Sequence, residues 1–178
     1  TVGGTDTQSN SSTNSDFNAA LVTFVASATK SVRLAGYTFS DQSPAGNSLL
    51  DALKAHVTAG RTVKVVLDKD STQGIYLDNY NALKLAIGAG NIQVENPVSD
   101  AEMHNKFIVV DADPGDYASG KVALGSANFT DPAFSSQNNN FLIVDTCPGL
   151  AYNYTLEFEQ MFTGKKFTRA TCPNQHFV

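Results

Sequence analysis

The sequence is short of the features that most often announce a function. Its Lys and Arg residues do not outnumber its acids: 12 against 17, for a formal net charge of −5. Phosphate contacts supply most of the affinity of a nucleic-acid binder, so the missing basic surplus argues against a large DNA footprint. It leaves room for a local basic pocket, and for another kind of phosphodiester. No apolar run approaches the length of a membrane span, so no stable membrane association is expected. There is no internal repeat. No cluster of Asp, Glu, His or Cys has metal-ligand spacing, and no cofactor is implied. The chain opens Thr1-Val2-Gly3-Gly4, with neither the basic start and apolar core of a leader nor an initiating Met. The expectation is that a leader or a longer N-terminus has been removed. Only two cysteines are present, Cys147 and Cys172, each followed by Pro, as in loops.

What is there reads as one α/β domain. The 178 residues suffice for one core and are few for two. Thr1 to Asn14 is Ser, Thr, Asn and Gly with almost nothing apolar, a flexible lead-in, so residues 15–178 are expected to form the single domain. Phe17, Ala20, Leu21, Phe24, Val25 and Ala28 recur at helical spacing. A strand follows over Ser31 to Tyr37. Asn47 is expected to cap a second helix that turns Leu49, Leu50, Leu53 and Val57 inward and ends at Gly60. Thr62 to Leu67 predicts a central strand, Asp78 or Asn79 to Ala89 a third helix, and Ile92 to Glu95 a short strand. Asn139 to Val144 predicts a late strand, and Leu150 to Phe162 a last helix stopped by Gly164. Alternating βα units followed by strands predict a mixed β-sheet sandwiched between helices.

Two stretches carry the chemistry. Lys106 to Asp111 is a buried-strand pattern, charged only at its ends, with His104 two residues before Lys106. Val122 to Gly125 is a second short apolar run, closed by Ser126 with Asn128 two further on. Residues two apart on a strand share a face. An imidazole, an ammonium, a hydroxyl and an amide can therefore converge on one anion.

His104-x-Lys106, four residues, Asp111, then Gly125-Ser126-x-Asn128 resembles the HKD signature of the phospholipase D superfamily. The order of elements from Asp16 to Phe162 resembles its small bacterial single-motif endonucleases. Tyr37-Thr38-Phe39-Ser40, Val63 to Asp68, Phe129-Thr130 and Phe158-Glu159 are supporting echoes. The mitochondrial cardiolipin-hydrolase branch also carries a single motif, but its helical anchor has no counterpart here.

The resemblance implies a phospholipase D-like fold and a metal-independent phosphodiesterase acting through a phosphohistidine, most simply an endonuclease on DNA or RNA. His104 is the implied nucleophile and Lys106 the fixed cation, with Ser126 and Asn128 as phosphate donors. Asp111 belongs to the signature, and a strand-end carboxylate that caps a turn is the other reading of it. Ser126 bonds phosphate or merely permits close strand packing. A second His must protonate the leaving group. His56 and His176 carry no motif and read as surface residues, so the resemblance implies a homodimer with two copies of His104 facing across a two-fold axis. Asn139 occupies the place where those nucleases carry the Glu that orients the His. Glu157 or Glu159 replaces that carboxylate only if the last helix passes behind His104. A lipid-headgroup phosphodiesterase and a phosphate-binding module without turnover are the competing readings.

Cys147 and Cys172 are either two separate thiols or one disulfide. A bridge closing roughly 26 residues would contribute on the order of 3 kcal/mol and implies an exported protein. Asn128-Phe-Thr130 is a glycosylation acceptor, and a glycan there would occlude the phosphate site. The expected compartment is therefore outside a bacterial cell, periplasmic or secreted.

Overall fold

The computed structural model describes residues 15–41, 48–95 and 102–167. The lead-in over residues 1–14, the expected cap Asn47, Cys172 and His176 lie outside the described residues.

Six strands form one mixed sheet: β1 (Ser31–Gly36), β2 (Thr62–Leu67), β3 (Ile92–Val94), β4 (Lys106–Val110), β5 (Lys121–Gly125) and β6 (Phe141–Val144). Their order across the sheet is β3-β2-β1-β4-β5-β6. The half containing β1, β2 and β3 is parallel, because helical crossovers connect those strands. From β1 onward the β4, β5 and β6 neighbours are antiparallel, and β5 reaches β6 through the loop that carries Asp131–Ser135.

Helices α1 (Ser15–Ala26), α2 (Leu49–Thr58), α3 (Leu77–Ile87) and the short α4 (Asp131–Ser135) join the core on one face. Leu34, Val65, Ile108 and Ala123 point into it from the strands, with Phe39 and Phe129 fully covered. The single α5 (Pro148–Phe162) covers the other face, where Ala151, Phe158 and Met161 pack on Ala35, Val66, Phe107 and Val109. Truncating either buried Phe would cost about 3–5 kcal/mol. Alternate residues of β4 feed the two cores, so every one of its residues is buried.

Local chemistry fixes the element ends. Ser48 caps α2 in place of Asn47: its backbone is extended, and its Oγ accepts the Asp51 amide at 3.2 Å. Asp41 reinforces that cap by accepting from Ser48 Oγ and the Leu50 amide, both at 2.8 Å. α3 stops at Ile87, two residues short of the Ala89 expected as its end, because Gly88 (φ 87°) takes a positive φ. His56 is buried in α2, contrary to the surface position expected for it. The Arg61 guanidinium donates to its Nδ1 at 3.0 Å, so Nε2 carries the proton and donates to the Val25 carbonyl at 2.8 Å. His56 ties α2 to α1.

Candidate active site

β4 begins and β5 ends at the same mouth of the sheet. The register pairs Gly36 with Lys106 and Phe107 with Leu124, which sets the end of β1, the start of β4 and the end of β5 together. There His104, Lys106, Gly125 and Ser126, together with Asn140 and Tyr154, line an open cleft of about 460 Å³. The two stretches singled out by spacing thus meet in space. Gly125 makes the close approach possible. A Cβ there would collide with the Asn140 carbonyl oxygen and stand 2.9 Å from Phe141 Cα, so any other residue pushes β6 away.

His104 is exposed and sits in the coil just before β4. Its ring lies 4.8 Å from the ring of Tyr37, the planes tilted by 53°. Lys106 is 8 % exposed, and its Nζ donates back to the His104 carbonyl at 2.8 Å. The same ammonium stands 5.5 Å above the Tyr37 ring, a cation–π distance. Burial lowers the Lys106 pKa from its ordinary value, against the opposing charge of Glu102. A desolvated cation that spends one of its donors on a carbonyl keeps two for an anion.

Tyr37 is itself anchored. Its hydroxyl donates to Asp70 at 2.6 Å and approaches Glu102 at 3.4 Å. That bond, then burial, then the Asp70 charge push the phenol far above its usual range. The Tyr37 bond in turn holds Asp70 below the ordinary carboxylate range, outweighing its burial. Behind it, buried Asp68 accepts the Asp70 amide at 2.9 Å and the Met103 amide at 2.8 Å. Asp68 therefore fixes the residue on which His104 hangs. Glu95, buried beside Asp68, is pushed up to about 7 by burial, by a hydrogen bond shared with Asp68 and by its charge. Glu95 Oε2 has no partner among the described residues, and burial there favours the protonated carboxyl.

Three residues implied for the site have other placements. Asp111 lies at the far end of β4, about 16 Å of strand from Lys106. Its carboxylate takes the Thr29, Lys30 and Ser31 amides at 2.7–3.2 Å and the Thr29 hydroxyl at 3.0 Å. Burial alone would raise its pKa, but those donors win and lower it. Asp111 is thus the cap of the α1–β1 turn, with a left-handed backbone (φ 54°) that Asp tolerates. Asn139 does not orient His104. Among the described residues its partners are Ser126, whose Oγ donates to its Oδ1 at 3.0 Å, the Ala133 carbonyl and Gln137. Ser126 Oγ also accepts the Asn140 amide at 3.0 Å, so this hydroxyl stitches β5 to the turn before β6. Glu159 does not stand in for the absent carboxylate: it pairs with Arg33 and Lys64 at 3.0 and 3.1 Å. Asn128 lies two residues beyond Ser126, its Oδ1 buried without a partner among the described residues. Cys147 is exposed just before α5.

Spacing did not single out Tyr37, Asp70, Asn140 or Tyr154 for the site. Only the antiparallel pairing of β1 with β4 shows that Tyr37, the residue after β1, must abut His104. Among the described residues no three His, Cys, Asp or Glu side chains group to hold a metal ion, and no helix is long and apolar enough to cross a membrane.

The model of the cardiolipin synthase, phospholipase D-like domain matches residues 21–162, most of the chain. The chain belongs to the phospholipase D superfamily. Within this phosphodiesterase superfamily its fold is shared by solved bacterial proteins. A phospholipase D family member, Nuc from Salmonella typhimurium, is 24 % identical with a TM-score of 0.63, over 81 % of this chain and 85 % of that one. NucT from Helicobacter pylori is 20 % identical with a TM-score of 0.63, over 84 % and 89 %. Polyphosphate kinase from Porphyromonas gingivalis shares the fold at 16 % identity and a TM-score of 0.57, this chain matching 24 % of its length. A comparison with curated proteins finds no match. The mixed sheet between helices is the phospholipase D-like architecture expected from the motif.

Proposed function

We propose that the protein is a metal-independent endonuclease that cleaves a nucleic-acid phosphodiester through a phosphohistidine at His104. The observation that carries this reading is the exposed His104 ring and the desolvated Lys106 ammonium on one open cleft, walled by Gly125 and Ser126. His104 attacks phosphorus, a P–N bond forms, and the P–O bond to the leaving oxygen breaks. That oxygen takes a proton from a second imidazole. Water then attacks the phosphohistidine, the P–N bond breaks, and the second imidazole receives the water's proton. Lys106 and Asn128 stabilise charge on the nonbridging oxygens.

The second imidazole is the His104 of another copy of this chain. His56 is committed to the α1–α2 contact, which removes it from the role. The β6 edge beside the cleft leaves Leu142 and Ile143 exposed (55 % and 41 %), apolar area that a two-fold partner would cover.

The test is hydrolysis of bis(4-nitrophenyl) phosphate and of DNA and RNA with EDTA present. Turnover by the native protein and none by His104→Ala is expected. Strict dependence on added Mg²⁺ overturns the mechanism. Preferential cleavage of phospholipid vesicles over nucleic acid assigns the lipid reading instead, and phosphate binding without turnover assigns a binding module.

A further inference from the structure

Past β1 the chain continues through Tyr37 to Ser40, and past β5 through Ser126 to Thr130. These extensions run side by side. Phe39 forms a parallel bridge with Phe129, and the Ser40 amide donates to the Phe129 carbonyl at 2.9 Å. Phe39, Ala127 and Phe129 all point into the larger core. Alternation therefore turns Thr38 and Asn128 to the opposite side. Each stands one position before the bridged pair, so the two are neighbours at about the 5 Å strand spacing.

Both have an orphan. Thr38 is 2 % exposed, and its Oγ1 has no partner among the described residues. Asn128 Oδ1 is buried in the same condition. Buried polar atoms are rarely left unpaired, and two such orphans on neighbouring residues point to one shared partner between them. An amide oxygen only accepts, whereas a hydroxyl donates. Neither bonds the other directly, so the arrangement that satisfies both is one water that accepts from the Thr38 hydroxyl and donates to Asn128 Oδ1.

We propose that Thr38 is a positioning residue for Asn128. Its hydroxyl keeps the amide oxygen turned inward and both Nδ2 donors turned outward, beside Ser126 at the cleft, for a nonbridging phosphate oxygen. This deepens the phosphodiesterase reading and rests on it for the substrate class. Without the hydroxyl the amide is free to turn over and set an oxygen against the anion. A Thr that merely fills space would be replaced by Val without consequence, since the two side chains have the same shape.

The test is inorganic phosphate affinity and kcat/KM for bis(4-nitrophenyl) phosphate in Thr38→Val, Thr38→Ser and Asn128→Ala, with thermal melting recorded. Thr38→Val should lose about tenfold in both quantities while melting like the native protein. Thr38→Ser, which keeps the donor, should stay near native. Thr38→Val added to Asn128→Ala should cost nothing further. If Val proves too apolar to fold there, Thr38→Ala carries the same comparison. Native-like phosphate affinity in the variant lacking the hydroxyl, or an undiminished loss in the Asn128→Ala background, overturns the inference. Native protein that binds phosphate without hydrolysing the diester overturns the catalytic reading instead and leaves the Thr38 comparison readable.

Discussion

Lys106 and Asp111 sit at opposite ends of one strand and have opposite kinds of work. Lys106 gives up solvent without gaining a salt bridge among the described residues, which keeps its charge available to a ligand. Lys106→Met should keep the fold and lower kcat about 10²–10³-fold, the usual loss of one preorganised electrostatic donor. Full activity in that variant would remove the cation from the mechanism. Asp111 is satisfied by backbone amides of the α1–β1 turn. Asn tolerates its positive φ, so Asp111→Asn isolates the carboxylate's charge. The expected loss is about 2 kcal/mol of stability with kcat/KM unchanged. A selective fall in kcat at unchanged stability would return Asp111 to the site.

Glu95 adds a pH dependence to the fold's stability. Burial and Asp68 hold it at about 7, above its ordinary 4.5. The folded state therefore binds a proton that the unfolded state has released. The stabilisation is complete below about pH 4.5 and disappears as pH rises through about 7, amounting to at most about 3 kcal/mol. Thermal melting should fall between about pH 5 and pH 7.5 in the native protein, and Glu95→Gln should flatten that slope. Parallel slopes for the two proteins would show that Glu95 is ionised in the fold.

At the scale of elements, what was legible in the sequence followed from short-range pattern. Thr62 to Leu67 lies between a helix-ending glycine and a charged exit, and β2 has those bounds. The motif strand was legible because only its ends are charged. α4 was not, because five residues give too little periodicity to read. β6 starts two residues later than its composition suggested, at Phe141, since Asn139 is spent on Ser126, Ala133 and Gln137. The roles of Asn139, Asp111 and His56 depend on which backbone groups lie opposite them. That information resides in strand register and helix packing, which spacing along one chain does not carry. The β5–β6 contact offers a check at this scale. Gly125→Ala must displace β6, because backbone atoms of Asn140 and Phe141 occupy the space. A loss of about 1–3 kcal/mol is expected, with activity falling because the cleft wall moves. A melting temperature equal to that of the native protein would mean that β6 gives way freely.

For the whole molecule, charge and assembly are connected. The chain is acidic overall, and Asp70 and Glu102 stand near Lys106 across Tyr37. One copy brings a single motif ammonium to the cleft, and a two-fold partner would double it. Solution mass should therefore report a dimer under assay conditions, and a fully active dilute monomer would contradict the shared site. Cys147 is exposed and open to a partner, and a bridge to Cys172 would appear as a loss of about 2 Da from the reduced mass.

The placement of β4 has one more consequence, in how the molecule breathes. β4 is hydrogen-bonded on both sides, to β1 and β5, and buried on both faces. β3 and β6 each have one bonded edge and partly open faces. Deuterium should enter the amides of β6 and β3 through local fraying, while those of Phe107 to Val110 should exchange only when the whole domain opens. His104 and Lys106 are rooted at the mouth of that slowest-exchanging strand. Heating should therefore leave the reacting pair in register until the domain melts, so that inactivation and global unfolding share one temperature.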